Sequence, residues 1–453
     1  MAFVNKSEVH SYQTQARPAS LESNSSPQSI RGSVRHVQVA ASSGNQGSNG
    51  VVLFQIAPSP STITRKTLYW KTRVVVTTGA APTYATAATS LSFNGAGSLI
   101  LTADISGGST NNALIPRLSC GYQVLSRCTA FSGSTVLGQA NFVNDEMSLL
   151  LAHNASRDWV QSDATITVGM GSNFIPISAT QSYIDLCLPL PIGALQGNQD
   201  FPAWALTSPV SIQLDLASYA RAIFAGSTVA GTEYQCQNNF LCYEAVDLPS
   251  EVVDSLRSSV NSSPFILSTS EWLNMQAPMS ALASYSIGMN ASSVNGIFVL
   301  PLNATGYTAG TQLNYTRNFT DMAQIGGAVF SANGGSGVGY QIYLDGRLVN
   351  STNVDNYATQ FAQLKQALTN SPGQNVQNTS AFTNVSEYLN KLFALGVDTL
   401  AFSDESTLMG GSPCSNLTIQ IQGASQTTFL TTILINYNTL LAFGANGVIE
   451  VKR

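Results

Sequence analysis

The sequence predicts an all-β protein built from two sandwich-like halves in tandem. Runs in which apolar and polar side chains alternate recur from residue 68 to residue 441, whereas helical spacing is confined to a few short segments. Many strands with few helices favour a sandwich over an alternating α/β fold. The length of 453 residues exceeds what one hydrophobic core usually serves, so we expect two domains of about 200 residues.

Charged residues are scarce along the whole chain. Only 9% of the residues are Asp, Glu, Lys or Arg, against roughly 25% in an average soluble domain. Ser, Thr, Asn, Gln, Gly and Ala provide the polar surface instead. Such a surface can be buried against other copies at low cost, because few ions need to be desolvated. The composition therefore predicts a subunit of an assembly.

The most regular alternation lies in the first half of the chain. Residues 181–188 place Ile184, Leu186 and Leu188 on one face, and residues 209–216 alternate in the same way. Each pattern predicts a strand with one buried face. The other strand candidates are residues 68–76, 98–104, 122–128, 164–168 and 240–246 in the first half, and residues 296–302, 340–350, 416–422 and 429–441 in the second.

Turn and helix signals complete the pattern. Asp345-Gly346 separates two β-like runs, and both residue types accept the positive φ angles that a tight hairpin turn needs. A short helix is expected after Asn144, with Asp145 and Glu146 in its first turn, where carboxylates complement the helix dipole. The other predicted helices cover residues 248–260, 356–369 and 385–395.

Residues 1–32 have the composition of a flexible N-terminal arm. They are rich in Ser, Gln and Asn and show no apolar period. Eight Lys or Arg residues against Glu8 and Glu22 give residues 1–73 a net charge of +6, while the remaining residues carry −11. A basic start on an acidic body predicts contact with an anionic partner such as nucleic acid or a membrane surface. The first residues resemble no secretion signal, and no transmembrane helix is expected.

The sequence offers no catalytic, cofactor-binding or metal-ligating residue. The three histidines, His10, His36 and His153, have no Cys, Asp or Glu at metal-ligand spacing. The glycine-rich run 334–339 precedes a strand, whereas a phosphate-binding loop follows one and opens a helix. No Ser or Cys has a recognisable base beside it. We therefore expect no enzyme and no cofactor, and we expect the six cysteines to be free thiols.

One segment resembles a family of viral proteins. Residues 183–193, with the sequence Tyr-Ile-Asp-Leu-Cys-Leu-Pro-Leu-Pro-Ile-Gly, are followed by Phe201-Pro202 and then by Ser211-Ile212-Gln213-Leu214. A strand ending in Leu-Pro, a loop, and a strand of Ile or Leu alternating with polar residues follow one another in this order. The segment is similar to that of double jelly-roll major capsid proteins of tailless icosahedral DNA viruses, the lineage of adenovirus, polinton-like and large DNA viruses.

The resemblance implies two tandem eight-stranded antiparallel jelly-roll sandwiches with a few short helices. The first jelly roll would cover residues 33–247, a helical connector residues 248–262, and the second jelly roll residues 263–453. Outer loops would cover residues 79–96, 131–144 and 304–339.

The resemblance also implies a role and a set of partners. The chain would form a homotrimer, a pseudo-hexagonal capsomer that tiles an icosahedral shell and is assembled into virions inside the host cell. Its partners would be copies of itself, neighbouring capsomers, and penton or minor cement proteins. The arm, residues 1–32, would face the genome or an inner membrane.

Two other interpretations fit the residues. The capsid protein of an RNA virus, with a single jelly-roll shell domain and a protruding domain, would use the basic arm, although such arms usually hold many more Arg and Lys. A non-viral β-rich surface or adhesion protein would fit the composition, but it should have a secretion signal. Two similarly oriented sandwiches would separate the first interpretation from the capsid with one jelly roll, and particle formation would separate both from the adhesion protein.

Overall fold

The fold is described from a computed structural model of the chain. The structure describes residues 33–77, 92–93, 99–100, 114–116, 121–154, 163–169, 175–178, 180–197, 199–225, 233–278, 282–303, 340–349, 357–370, 394–400, 411–422, 429–447 and 449–452.

Strands dominate the described residues. In chain order they are β1 (Ser33–Ala40), β2 (Gln46–Gly47), β3 (Val51–Ile56), β4 (Ser61–Ile63), β5 (Tyr69–Thr77), β6 (Ser92–Phe93), β7 (Leu99–Ile100), β8 (Leu114–Pro116), β9 (Leu125–Ser132), β10 (Thr135–Asn141), β11 (Ile175–Pro176), β12 (Gln181–Pro189), β13 (Val210–Leu216), β14 (Ile223–Ala225), β15 (Glu233–Asp247), β16 (Phe265–Pro278), β17 (Leu282–Asn303), β18 (Tyr340–Leu344), β19 (Arg347–Leu348), β20 (Leu395–Asp398), β21 (Ser412–Gln422), β22 (Phe429–Phe443) and β23 (Ile449–Lys452).

Helices are short and fewer, as expected for this class. The α-helices are α1 (Val143–Asn154), α2 (Asp163–Thr167), α3 (Gly193–Gln196), α4 (Tyr219–Ala222), α5 (Ser250–Ser262) and α6 (Tyr357–Asn370), and 3-10 turns cover Gly121–Val124, Ala203–Ala205 and Ala445–Gly447. All strand pairs are antiparallel. The predicted all-β class is confirmed.

The first half of the chain is a two-sheet sandwich. One sheet has seven strands with the main path β1-β15-β5-β12-β11, and the other has four in the order β10-β9-β13-β3. The alternation in the sequence sets the inner faces, because Trp70, Leu186 and Ile212 are all buried in one core. Arg73 and Asp185 form a hydrogen-bonded ion pair on the outer face, with their strands in direct register.

The second half of the chain is built around one continuous eight-stranded sheet. Its main path is β16-β22-β17-β21-β18-β19, with β20 pairing with β17 and β23 with β22. The long strand β17 changes partners near Ala291 and Val294, where its register shifts. The predicted hairpin at Asp345-Gly346 joins β18 and β19, and both residues have positive φ (49° and 79°). Helix α6 buries Leu364 and Leu368 against this sheet, as its spacing predicts.

Two predictions for the first half are wrong. Residues 164–168 were expected to be a strand, but they belong mainly to α2, which begins at Asp163, an acidic residue suited to the first turn of a helix. Residues 131–144 were expected to be a loop, but they end β9 and form β10 and the start of α1. The Gly133-Ser134 turn permits this hairpin because Gly133 has a φ of 58°.

Some predictions concern residues that lie wholly or mostly outside the described ranges. The arm (residues 1–32), the glycine-rich run 334–339 and the expected loop 304–339 lie outside the described residues. The expected loop 79–96 lies outside them except for β6. The predicted helix 385–395 lies outside them except for Ala394 and for Leu395, which begins β20.

The two hydrophobic cores each take in residues from both halves. The first core, formed mainly by the two-sheet sandwich, also contains Leu267, Leu441, Phe443 and Ile449 from the second half. The second core contains Leu149 and Leu150 from α1 in the first half, together with buried side chains of β17 and β22 in the second half. The two halves are therefore packed against each other across a shared junction. The predicted domain boundaries remain a prediction.

Candidate functional site: the junction between the two halves

Helix α5 connects the two halves and contacts both of them. Pro249 precedes its first turn, and Val253, Leu256 and Val260 form one buried stripe at helical spacing. Arg257 Nε donates a hydrogen bond of 3.0 Å to the carbonyl of Trp204 in the first half. The helix also packs against the Ala445–Gly447 turn of the second half. The predicted helical connector is thus a helix docked on both halves.

Polar substitutions on the buried stripe of α5 should destabilise the protein. We expect V253S/L256S to lower the free energy of unfolding by roughly 3–6 kcal/mol, because two buried aliphatic side chains are lost. Chemical denaturation measures this loss. Ser258, which is exposed on the same helix, is the control, and S258E should have little effect. Equal tolerance at all three positions would show that α5 is a loose linker.

Aromatic side chains fill the centre of the junction. Phe443 from β22 meets Phe201 of the first half edge to face, with ring centroids 5.7 Å apart. Phe265 lies between Phe443 and Trp204, at centroid distances of 6.2 Å and 6.0 Å. Phe443 is fully buried, so this part of the junction excludes water.

A polar cluster lies at the other side of the junction, where α1 packs on β16 and β22. Asp145 and Glu146 in the first turn of α1 are both 0% exposed. Asn274 Nδ2 on β16 donates to Glu146 Oε2 at 2.7 Å and to the carbonyl oxygen of Asn141 at 2.6 Å. Thr432 Oγ1 on β22 donates to Asp145 Oδ2 at 3.0 Å. Direct hydrogen bonds therefore connect the two halves.

Glu271, also on β16, lies against glycines of the first half. A Cβ atom on Gly138 of β10 would be 2.6 Å from Glu271 Oε1, and one on Gly193 of α3 would be 2.8 Å from it. A Cβ atom on Gly193 would also overlap the carbonyl oxygen of Ser270. Only glycine allows the backbones to approach this closely.

Burial shifts the titration of the acidic groups. Burial raises the pKa of Glu146 to about 8, a hydrogen bond from Asn274 opposes this shift, and the charge of Glu271 adds to it. Burial also raises the pKa of Asp145, whereas the charge of Arg221 and the hydrogen bond from Thr432 lower it. A cluster with these properties can hold protons near neutral pH.

The comparisons with known proteins identify the fold. No family model and no curated protein matches the chain. Among solved structures, the Faustovirus major capsid protein matches with a TM-score of 0.61 at 9% identity, covering 93% of this chain and 92% of that one. A chain of the PBCV-1 virus capsid matches with a TM-score of 0.58 at 12% identity, covering 96% and 99%. A chain of the Sputnik virophage matches with a TM-score of 0.54 at 11% identity, covering 96% and 92%.

This chain has the double jelly-roll fold. The matches cover both halves, so the similarity read from residues 183–193, Phe201-Pro202 and 211–214 is confirmed as a similarity of fold. Residues 183–189 lie in β12, Phe201-Pro202 directly precede the Ala203–Ala205 turn, and residues 211–214 lie in β13.

Sequence reasoning missed the polar cluster of this double jelly-roll protein. Asp145 and Glu146 were interpreted as first-turn residues that complement the helix dipole, and that interpretation does not require burial. The apolar run of residues 149–151 and Met147 predict one packed face for α1, but the polar residues 144–146 give no local sign that they are buried too. Their burial depends on contacts with β16 and β22, at separations of 128 and 287 residues in the sequence.

Other site types are not evident in the double jelly-roll chain. Among the residues that the structure describes, no three His, Cys, Asp or Glu side chains are grouped as a metal would need. No described helix is long and apolar enough to cross a membrane. The five described cysteines are free, as expected, and four of them are buried.

Proposed function

We propose that the protein is a structural major capsid protein that self-assembles as a pseudo-hexagonal trimeric capsomer and tiles an icosahedral virus shell. The observation that carries this proposal is the similarity in fold to the Faustovirus major capsid protein and to a PBCV-1 capsid chain over more than nine-tenths of both chains in each pair. A full-length match favours two jelly rolls over a single jelly-roll shell with a protruding domain. The role requires no catalysis.

The composition supports assembly from many copies. Only 9% of the residues are charged. The ion pairs among described side chains are few, and each joins residues of the same half. Much of the remaining polar surface is uncharged and can be covered by another subunit without burying ions.

Further partners follow from the same role. Neighbouring capsomers and penton or minor cement proteins would contact the outer parts of the trimer in the virion. The basic N-terminal arm, residues 1–32, would contact the genome or an inner membrane, because residues 1–73 carry a net charge of +6. Assembly would take place inside the host cell.

The full chain should be a homotrimer at micromolar concentration and should form particles on expression. Light scattering gives the first result, as three times the mass of one chain, and electron microscopy gives the second. A matched variant lacking residues 1–32 should still form trimers but few particles, because the arm would contact the inner side of the shell. A stable monomeric full chain would contradict the proposal, and normal particles from the shortened variant would contradict the role of the arm.

A further inference from the structure

Two carboxyl groups are buried on opposite sides of the junction. Glu146 belongs to α1 in the first half and is 0% exposed, and Glu271 belongs to β16 in the second half and is 3% exposed. Burial raises the pKa of Glu146, and the charge of Glu271 adds to this shift. An ionised Glu146 would hold a negative charge in a buried region of low dielectric.

Apart from the dipole of α1 and one amide, no charged or polar group among the described residues pairs with a negative charge on Glu146. None of the ion pairs among the described residues involves it. Asn274 gives Oε2 a single hydrogen bond, and Oε1 accepts none from the described residues. A buried carboxylate oxygen without a donor is costly, whereas a protonated carboxyl group carries no charge.

Other titratable groups act on Glu146 and Glu271 or on their neighbours, from the elements that pack together at the junction. Asp145 is next to Glu146 on α1, and the charge of Arg221 on α4 acts on Asp145. On β9, burial raises the pKa of the Cys128 thiol well above its ordinary value, and the charges of Glu271 and Glu146 add to that shift. His153 is at the opposite end of α1. Arg221 is thus the basic side chain that acts within this cluster, and it acts on Asp145.

We propose that the junction is a proton-dependent lock: a proton on Glu146 keeps the two halves docked, and loss of that proton weakens the docking. Glu146 and Asn141 are connected through the same Asn274 amide. Gly138 and Gly193 closely confine the Glu271 carboxylate. Because Glu146 is fully buried where α1 packs on β16, water can reach an ionised Glu146 only if α1 moves away from β16.

The direction of the pH dependence follows from proton binding. Burial raises the pKa of Glu146 from its ordinary value of 4.5 to about 8, so the folded state binds this proton more tightly than the unfolded chain. The stabilisation is fully present below about pH 4.5 and is lost as the pH rises to about 8. Alkaline conditions should therefore loosen the junction.

Thermal unfolding across pH tests the lock. The midpoint of the wild-type chain should fall by several degrees between about pH 5 and about pH 9, because the proton on Glu146 is lost in this window. E146Q, an uncharged analogue of the protonated acid, should show a clearly smaller fall and should unfold above the wild type at the alkaline end. E233Q changes an exposed glutamate at the start of β15 and should follow the wild type.

Infrared spectroscopy gives an independent readout. At neutral pH the wild-type chain should show the carbonyl stretch of a protonated buried carboxylic acid, and E146Q should lack that band. Parallel pH profiles of the wild type and E146Q, or no difference in this band, would overturn the proposal. A neutral-pH midpoint that rises with calcium ion and falls with a chelator would assign charge compensation to a cation and would also overturn it.

The lock would also act in an assembled shell, and that extension rests on the proposed function. Shells would then lose strength as the pH rises, because each subunit would lose the fixed angle between its halves. Unfolding and infrared measurements on the isolated chain do not depend on assembly. Their failure would leave the capsid proposal standing, and a chain that forms no particles would leave the lock testable.

Discussion

Replacing Phe443 by alanine should lower the free energy of unfolding by about 3–5 kcal/mol and should separate the two halves. Phe443 is fully buried, and its ring contacts Phe201 of the first half and Phe265 of the second. F443A removes the ring that joins these contacts and leaves a cavity at the junction. Chemical denaturation gives the loss of stability, and hydrogen exchange in α5 shows whether the docking is lost.

The control for F443A is a cavity of the same size away from the junction. Phe298 is also fully buried, but it packs on Trp272 within the second core, at a centroid distance of 5.7 Å. F298A should cost a similar free energy while hydrogen exchange in α5 stays slow under native conditions. Equal protection of α5 in both variants would show that the aromatic cluster does not hold the halves together.

The variant G193A should be at least as damaging, although it adds only one methyl group. The added Cβ would overlap the carbonyl oxygen of Ser270 and approach Glu271 Oε1, and a backbone oxygen cannot move as a flexible side chain can. We expect a loss of about 3 kcal/mol or more, at the upper end of what overpacking causes. Chemical denaturation measures this loss.

Gly288 provides the matched control for Gly193. It lies on an exposed position of β17, and a Cβ atom there would have no neighbour within 4 Å. G288A should therefore be neutral or slightly stabilising, since alanine restricts the unfolded chain more than glycine does. If G193A is tolerated as well as G288A, α3 and β16 are not in close backbone contact.

The strands were predictable wherever a single sheet face is buried. In β12 and β13 the two-residue period of Ile184, Leu186, Ile212 and Leu214 matches the burial of these side chains, because the pleat puts alternate residues on one face. Helix α6 was predictable because its buried side chains recur at helical spacing on one face. The hairpin at Asp345-Gly346 was predictable because its turn chemistry is local.

The junction was much less predictable, because it depends on contacts between distant parts of the chain. No local pattern places Glu271 beside Gly138 and Gly193, or Asn274 beside Glu146. Residues 164–168 show a related limit, since five residues of mixed polarity fit a strand or a short helix equally well. Only the stripe on α5 indicated that some part of this region would be packed between the two halves.

The contribution of Leu441, Phe443 and Ile449 to the first core has a consequence for synthesis on the ribosome. These residues are translated after the other fully buried members of the first core, most of which lie before residue 261. A nascent chain can therefore complete its first core only after these residues have left the ribosome, and until then its first half stays in an incomplete form.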